Sequence, residues 1–287
     1  MKLLPYLSTA FIFLTLLSGC DNDEPEPVND DAVIQQHLAA NNLTATKSDD
    51  WEVYYIELEP GTGEPVELNS VVEIEYENAL LDGQVISSDT NYVFVPEAYS
   101  FMEGVARGAL TMSEGGKSLI FIPSVYAYGP YTRALNGVTV PPNAVIQSTI
   151  TVKDVRTRGE QKFMEIDAIE DYLTEEGYTE YFEEMDGLFK QVLTEGQGTA
   201  TPVEGSRIVI NYEGSFLDGT VFDSGNSAQF NLTSSELIAG FYEGALTMKR
   251  DEETIFVMTS DLGYRDVGTG AIAPFTPLVF KIKMLEF

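Results

Sequence analysis

The sequence predicts an α+β protein made of two tandem copies of one domain, each an antiparallel half-barrel sheet wrapped on a short helix and preceded by an extra amphipathic helix. Three observations carry this reading. Gly108-Ala-Leu-Thr-Met112 recurs as Gly244-Ala-Leu-Thr-Met248, an offset of 244 − 108 = 136 residues. The same offset relates Tyr76 to Tyr212, Leu81-Asp82-Gly83 to Leu217-Asp218-Gly219 and Tyr128 to Tyr264. A period of that length exceeds the roughly 20–50 residues of a stacking repeat, so each copy is large enough to own a core. Within each copy, several short runs rich in Val, Ile and Tyr are divided by turn residues and interrupted by one helical stretch, the pattern of a mostly antiparallel α+β unit.

The elements follow in order along the chain. Each copy opens on a helical pattern, with Ile34 and Leu38 four apart in the first and Ile169 and Leu173 four apart in the second, so each pair lies on one helix face. Strands are expected at Val53–Leu58 and Leu188–Leu193, ending at Gly61-Thr-Gly63 and Gly196-Gln-Gly198. These glycine pairs lack a third Gly and a helix opening directly after them, so they read as turns and not as nucleotide loops. Val71–Tyr76 and Arg207–Tyr212 each run toward Leu-Asp-Gly, a hairpin signature in which Asp-Gly suits the positive backbone angles of a tight turn. Short helices are expected at 101–110 and 235–246, strands at 117–122 and 254–258, and closing strands at 144–155 and 277–285. The segment Arg156 to Gly187 reads as helical and acidic, either a rigid spacer or a dimer surface.

The N-terminus has its own layout. Residues 1–19 join a cationic start, an apolar run from Leu3 to Leu17 and the small pair Ser18-Gly19, as a secretory signal peptide does. The run is shorter than the ~20 apolar residues that a bilayer needs. Leu17-Ser-Gly-Cys20 resembles the bacterial lipobox, and Cys20 is the only cysteine in the chain. The resemblance implies that Cys20 is lipidated and becomes the mature N-terminus, with several acyl chains giving durable membrane attachment. Residues 20–47 then form an acidic tether and a short helix. Asp21–Pro27 is too polar and too rich in Pro to fold, and serves either as a solvated spacer or as an export tag for the cell surface. The expected location is the bacterial cell envelope, lipid-anchored at the outer membrane, facing the periplasm or the surface.

Composition narrows the function. A net charge of −30, from 46 acidic and 16 basic residues, argues against nucleic acid as a partner. A single histidine, His37, removes Ser-His-Asp and Cys-His catalysis and histidine-ligated zinc; it is expected on the surface. No cofactor or metal is called for, the clustered carboxylates offering at most a weak Ca²⁺ site.

Two ordered sets of motifs identify a family. Tyr212-Glu-Gly-Ser-Phe-Leu-Asp-Gly-Thr-Val-Phe-Asp-Ser224, Leu237-Ile-Ala-Gly-Phe-Tyr-Glu-Gly-Ala-Leu-Thr-Met248 and Tyr264 resemble the FKBP-type peptidyl-prolyl cis-trans isomerases. The first copy matches in Tyr76, Leu81-Asp-Gly83, Glu103–Met112, Tyr126-Ala-Tyr-Gly129 and Val140-Pro-Pro142. The resemblance covers nearly everything after residue 50 and implies FKBP-like domains at 48–157 and, with a helical linker, at 158–287.

Carried over residue by residue, the resemblance gives the second copy a nearly complete site. Phe241, where Trp is usual, is the floor under the proline ring, and Tyr212, Phe222, Leu237, Ile272 and Phe280 supply walls. Asp223, held by the Tyr212 hydroxyl, faces the peptide carbonyl region. Tyr264 donates its hydroxyl to a substrate carbonyl, and the backbone N–H of Ile238 bonds the peptide beside the proline. In the first copy Tyr76, Tyr128 and Val140 remain, but the Phe-Asp pair is Ile86-Ser87, the floor is Val105, the last aromatic wall is Ser148, and Phe101-Met102 replaces Leu237-Ile238. The tip between Tyr264 and Phe280 also departs, lacking the Pro-Pro pair found at Pro141-Pro142.

The expected function is peptidyl-prolyl cis-trans isomerisation of cell-envelope proteins, acting mainly through the second domain on proline-containing unfolded or partly folded polypeptides. A non-catalytic peptide-binding chaperone and a scaffold lipoprotein are the alternatives, and a homodimer through the helical segment stays open.

Overall fold

The computed structural model describes residues 29–98 and 102–287. The expected signal peptide, Cys20, the acidic run Asp21–Pro27 and Phe101 lie outside the described residues. Each half holds one six-stranded antiparallel sheet, and the two sheets share one topology. The first uses β1 (Thr46–Lys47), β2 (Tyr54–Glu59), β3 (Val71–Leu80), β4 (Val85–Phe94), β5 (Lys117–Ile122) and β8 (Ile146–Arg156), in the order β1-β2-β5-β8-β3-β4. The second uses β9 (Phe182–Met185), β10 (Leu188–Thr194), β11 (Arg207–Ser215), β12 (Val221–Asn231), β13 (Glu253–Met258) and β14 (Leu278–Glu286), in the order β9-β10-β13-β14-β11-β12. The short pair β6 (Arg133–Leu135) and β7 (Val138–Val140) forms a separate hairpin in the first half.

Each sheet carries a helix on both faces. The short helices α2 (Glu103–Ala109) and α4 (Ala239–Leu246) lie on one face. There Phe241, Tyr242 and Ala245 pack with Phe256, Met258, Phe280, Ile282 and Met284, and Val105, Ala106 and Ala109 pack with Ile120, Ile122 and Ile150. The amphipathic helices α1 (Asp30–Ala40) and α3 (Arg158–Glu175) cover the other face. Ile34 and Leu38 meet Tyr54, Phe121 and Val145, while Ile169 and Leu173 meet Phe189, Ile255, Val257 and Val279. The four-residue spacing of each apolar pair thus docks its helix on the sheet of the same copy.

Capping sets the helix ends. Asn29 accepts the Ala32 N–H at the start of α1, and Thr157 and Glu160 form a reciprocal capping box at the start of α3. The expectation of helix throughout 156–187 is corrected. At the end of α3, Gly177 takes a left-handed φ of +76° and the Tyr178 N–H returns to the Leu173 carbonyl 2.9 Å away, a Schellman-type stop. The chain then turns into β9, which pairs with β10 at the sheet edge. The expected helix at 235–246 starts four residues late, because Glu236 N–H bonds Thr233 O in a turn and Ile238 is still extended at ψ 148°.

The Leu-Asp-Gly turns also differ in detail. Only Gly83 (φ +88°) and Gly219 (φ +81°) adopt positive angles; Asp82 and Asp218 instead accept the N–H groups of Gln84 and Thr220 through their side chains. These are three-residue hairpins closed by a left-handed glycine and not two-residue turns. His37, expected to be exposed, is half-buried, its ring centroid 5.6 Å from that of Phe121. Among the described residues no helix is long and apolar enough to cross a membrane.

Because Ile169 is fully buried beneath α3, Ile169→Ala should lower the stability of the second domain by about 2–4 kcal/mol. Substituting the 70% exposed Phe163 on the same helix by Ser should change it by less than about 0.5 kcal/mol. Denaturant titration of both variants checks this.

Candidate functional site

In the second domain a cavity of about 400 Å³ opens between β12, the turn before α4 and the loop after β13, lined by Tyr212, Phe222, Asp223, Phe230, Ser235, Glu236, Leu237, Ile238, Phe241, Tyr264 and Phe280. Phe241 lies at its base, 5% exposed. Its ring makes edge-on contacts with Tyr212 (6.3 Å, 88°), Phe280 (5.3 Å, 85°) and Phe230 (5.9 Å, 62°). Phe222 stands edge-on to Phe280 at 5.7 Å. Rings locked this way present a fixed apolar surface, because each edge-to-face pair adds to the area term about 0.5–1.5 kcal/mol.

The polar groups stand at the mouth. The Tyr212 hydroxyl donates to Asp223 Oδ2 at 2.9 Å, and Asp223 Oδ1 accepts the Ser224 N–H at 2.9 Å. Burial, followed by the bond to Asp223, pushes the Tyr212 phenol up to about 12. The Tyr264 hydroxyl and the Ile238 N–H find no partner among the described residues; the latter is one of the orphan donors at the start of α4. The site therefore offers an aromatic floor, one engaged carboxylate and two free donors.

The structure brings together eight of the sequence-derived residues, Tyr212, Phe222, Asp223, Leu237, Ile238, Phe241, Tyr264 and Phe280. Ile272 is not among the cavity-lining residues. A reciprocal pair of 2.8 Å bonds between Thr269 and Ile272 closes a tight loop there, and the side chain is 7% exposed within the core cluster. Phe230, Ser235 and Glu236 were missed. Phe230 carried a usable signal, since Phe94 precedes it by the repeat offset, and Val72↔Phe94 and Ile208↔Phe230 are equivalent strand pairs.

The first copy is lined differently at the same place. Strand register pairs Asn78 with Ser148 and Gly214 with Phe280, so the ring pair Phe222 and Phe280 over Gly214 is replaced by Ile86 and Ser148 beside a fully buried Asn78. A Cβ on Gly214 would stand 2.7 Å from the Phe222 ring and 3.0 Å from Phe280. Ser87, in the place of Asp223, accepts a bond from Asn78 Nδ2 at 3.1 Å. Burial pushes the phenol of Tyr76 up to about 12 and raises that of Tyr128. The β6–β7 hairpin is drawn down as well: Asn136 Nδ2 donates to the Ile86 carbonyl at 3.0 Å, and Leu135, Val138 and the fully buried Val140 pack on the core. Among the described residues no group of three or more His, Cys, Asp or Glu converges as a metal site.

A family model described as FKBP-type peptidyl-prolyl cis-trans isomerase matches residues 62–153 and 198–285. The chain is 35% identical over 106 residues to FK506-binding protein 1 of Dictyostelium discoideum, covering 35% of this chain and 98% of that one. It is 35% identical over 103 residues to the probable FKBP-type peptidyl-prolyl cis-trans isomerase FkpA of Neisseria meningitidis, covering 35% of this chain and 38% of that relative. The crystal structure of the three FKBP domains of wheat FKBP73 aligns at 22% identity and a TM-score of 0.38, covering 85% of this chain and 98% of that one.

Two outcomes are expected of this geometry. The raised Tyr212 phenol favours the neutral form in the folded state, so its contribution to stability is complete below about pH 10 and is lost as pH rises toward about 12. Alkaline unfolding should therefore be less steep across that window for Tyr212→Phe than for the parent chain. Gly214→Ala should destabilise by about 1–3 kcal/mol by displacing two rings, read by thermal unfolding.

Proposed function

The chain belongs to the family of FKBP-type peptidyl-prolyl cis-trans isomerases, and on that premise we propose that it accelerates Xaa-Pro isomerisation in proteins of the cell envelope, with the activity in the second domain. The observation that carries this reading is the aromatic floor at Phe241 with the free donors of Tyr264 and Ile238 beside it.

The chemistry suits these groups. The X-Pro bond rotates slowly because conjugation gives it partial double-bond character, with a barrier of about 18–20 kcal/mol. In the twisted imide that conjugation is lost and the nitrogen becomes pyramidal, so an apolar, water-poor surface favours the transition state over the planar ground state. Phe241, edge-locked by three rings, receives the pyrrolidine; Phe222 and Phe280 flank it and Leu237 closes the wall. The Ile238 N–H and the Tyr264 hydroxyl hold substrate carbonyls so that the peptide turns about the proline. Asp223, its two oxygens bonded to Tyr212 and to the Ser224 N–H, contributes a fixed negative field at the mouth. No proton is transferred and no covalent bond forms, in keeping with a chain that holds one histidine.

The first domain takes a supporting, non-catalytic part in this reading, because Val105 replaces the floor and Ile86 and Ser148 stand where the second domain has Phe222 and Phe280. The signal-peptide pattern and the lipobox-like Cys20 support anchoring in the envelope, where clients are proline-containing polypeptides whose folding waits on slow isomerisation.

The test is isomerisation of a short Xaa-Pro peptide by the full chain and its variants. Tyr264→Phe should lower kcat/KM about tenfold, the effect of one lost hydrogen bond of ~1.4 kcal/mol. Phe241→Ala should lower it further, and Tyr128→Phe should leave it unchanged. Peptide binding without any acceleration by the parent chain would replace the enzyme reading by that of a peptide-binding chaperone.

A further inference from the structure

Each copy hangs its site tyrosine from a single serine, and each serine is held by a carboxylate from a helix outside the segments that match the family model. In the second domain Glu165 of α3, 4% exposed, accepts the Ser260 N–H at 2.7 Å and the Ser260 hydroxyl at 2.9 Å, and Gln161 Nε2 donates to it at 2.8 Å. The Ser260 carbonyl in turn accepts the N–H groups of Gly263 and Arg265, both at 2.9 Å. Those two residues bracket Tyr264.

The first domain repeats the arrangement. Asp30 of α1 accepts the Ser124 N–H and hydroxyl, both at 2.8 Å. The Ser124 carbonyl accepts from Ala127 at 3.0 Å and Gly129 at 2.8 Å, which bracket Tyr128. Gly129 and Arg265 share the same left-handed backbone, φ +59° and +58°. Glycine adopts that angle freely and arginine only under constraint.

The helix register explains why the carboxylates meet the serines. Asp30, Ile34 and Leu38 lie four apart, and so do Glu165, Ile169 and Leu173, so each acid sits one turn ahead of the apolar pair that docks its helix. A buried carboxylate is costly unless donors satisfy it. Glu165 has three, two of them from the loop it holds, which fixes that loop to the helix. Burial raises its carboxyl above the usual range, the three bonds opposing this.

We propose that Glu165 is a positioning residue for Tyr264: through Ser260 it fixes where the tyrosine hydroxyl stands over the Phe241 floor, making α3 a working part of the isomerase site. This rests on the isomerase reading above. The pocket has diverged between the copies while the carboxylate–serine–tyrosine relay is present in both, so the relay belongs to the scaffold and its catalytic consequence to the second domain.

The experiment is a double-mutant cycle in the full chain with Glu165→Gln, Tyr264→Phe and the pair, read by peptide isomerisation and by amide hydrogen exchange. Glu165→Gln should lower kcat about fivefold with KM unchanged, and should add less than about a twofold effect once Tyr264 is Phe. Exchange at Gly263 and Arg265 should quicken while that at Ile255 in β13 stays as in the parent. Additive losses in the pair, or unchanged exchange at Gly263 and Arg265, would overturn the proposal. If the parent chain shows no isomerase activity, the functional reading fails and the exchange measurement alone decides the positioning. Should Ile255 exchange also quicken, Ser260→Ala, which removes only the hydroxyl bond, takes the place of Glu165→Gln and is held to the same outcomes.

Discussion

Both domains depend on one constraint: β5 and β13, inside the two sheets, are apolar on both faces, so both faces of these strands must be covered. In β13 Phe256 and Met258 turn toward α4 while Ile255 and Val257 turn toward α3. An antiparallel sheet often leaves one face to water; β5 and β13 cannot. A helix as short as α4 has little stability alone, so its position is dictated by how closely it can approach the sheet. Glycine sets that distance. A Cβ at Gly244 would lie 2.9 Å from the Phe256 ring, and one at Gly108 would lie 2.9 Å from Ile120. The first residue of the repeated Gly-Ala-Leu-Thr-Met is thus a packing requirement of both domains, and the floor position three residues before it is held wherever that packing puts it.

From this common frame the copies diverge through a few positions that act together. Gly214 leaves space that two phenylalanine rings fill from β12 and β14, and those rings brace the floor. Asn78, at the equivalent place, fills the space itself, and its neighbours shrink to Ile86 and Ser148. The exchange has a cost, since Asn78 Oδ1 and Ser148 Oγ are buried without a protein partner. A polar core that tolerates unpaired atoms is consistent with a domain kept for its scaffold.

Much of this was legible in the chain. The repeat offset, the paired Ile and Leu of the leading helices, and the order of Tyr212, Phe222, Asp223, Phe241, Tyr264 and Phe280 each required only residue identity and spacing. What was hidden depended on space and on hydrogen-bond partners. The Schellman stop at Gly177 and the edge strand β9 were masked by an acidic segment whose composition suits a helix. Ile272 looks like a wall in an aligned string, yet its 2.8 Å exchange of bonds with Thr269 keeps it in the core. The carboxylates at Asp30 and Glu165 share an offset of 165 − 30 = 135, one residue off that of the barrel, so a search at a single offset passes over them.

The two copies also differ in the group that stands at the position of Asp223. Asp223 accepts from Tyr212 with one oxygen and from the Ser224 N–H with the other, and the Tyr264 hydroxyl is unbonded within the described chain. A serine has one oxygen, which both accepts and donates. Ser87 spends it on the side-chain amide of the buried Asn78, 3.1 Å away. Exchanging a carboxylate for a hydroxyl at this one place does more than remove a charge: it ties the polar group of the rim to a buried amide on the neighbouring strand.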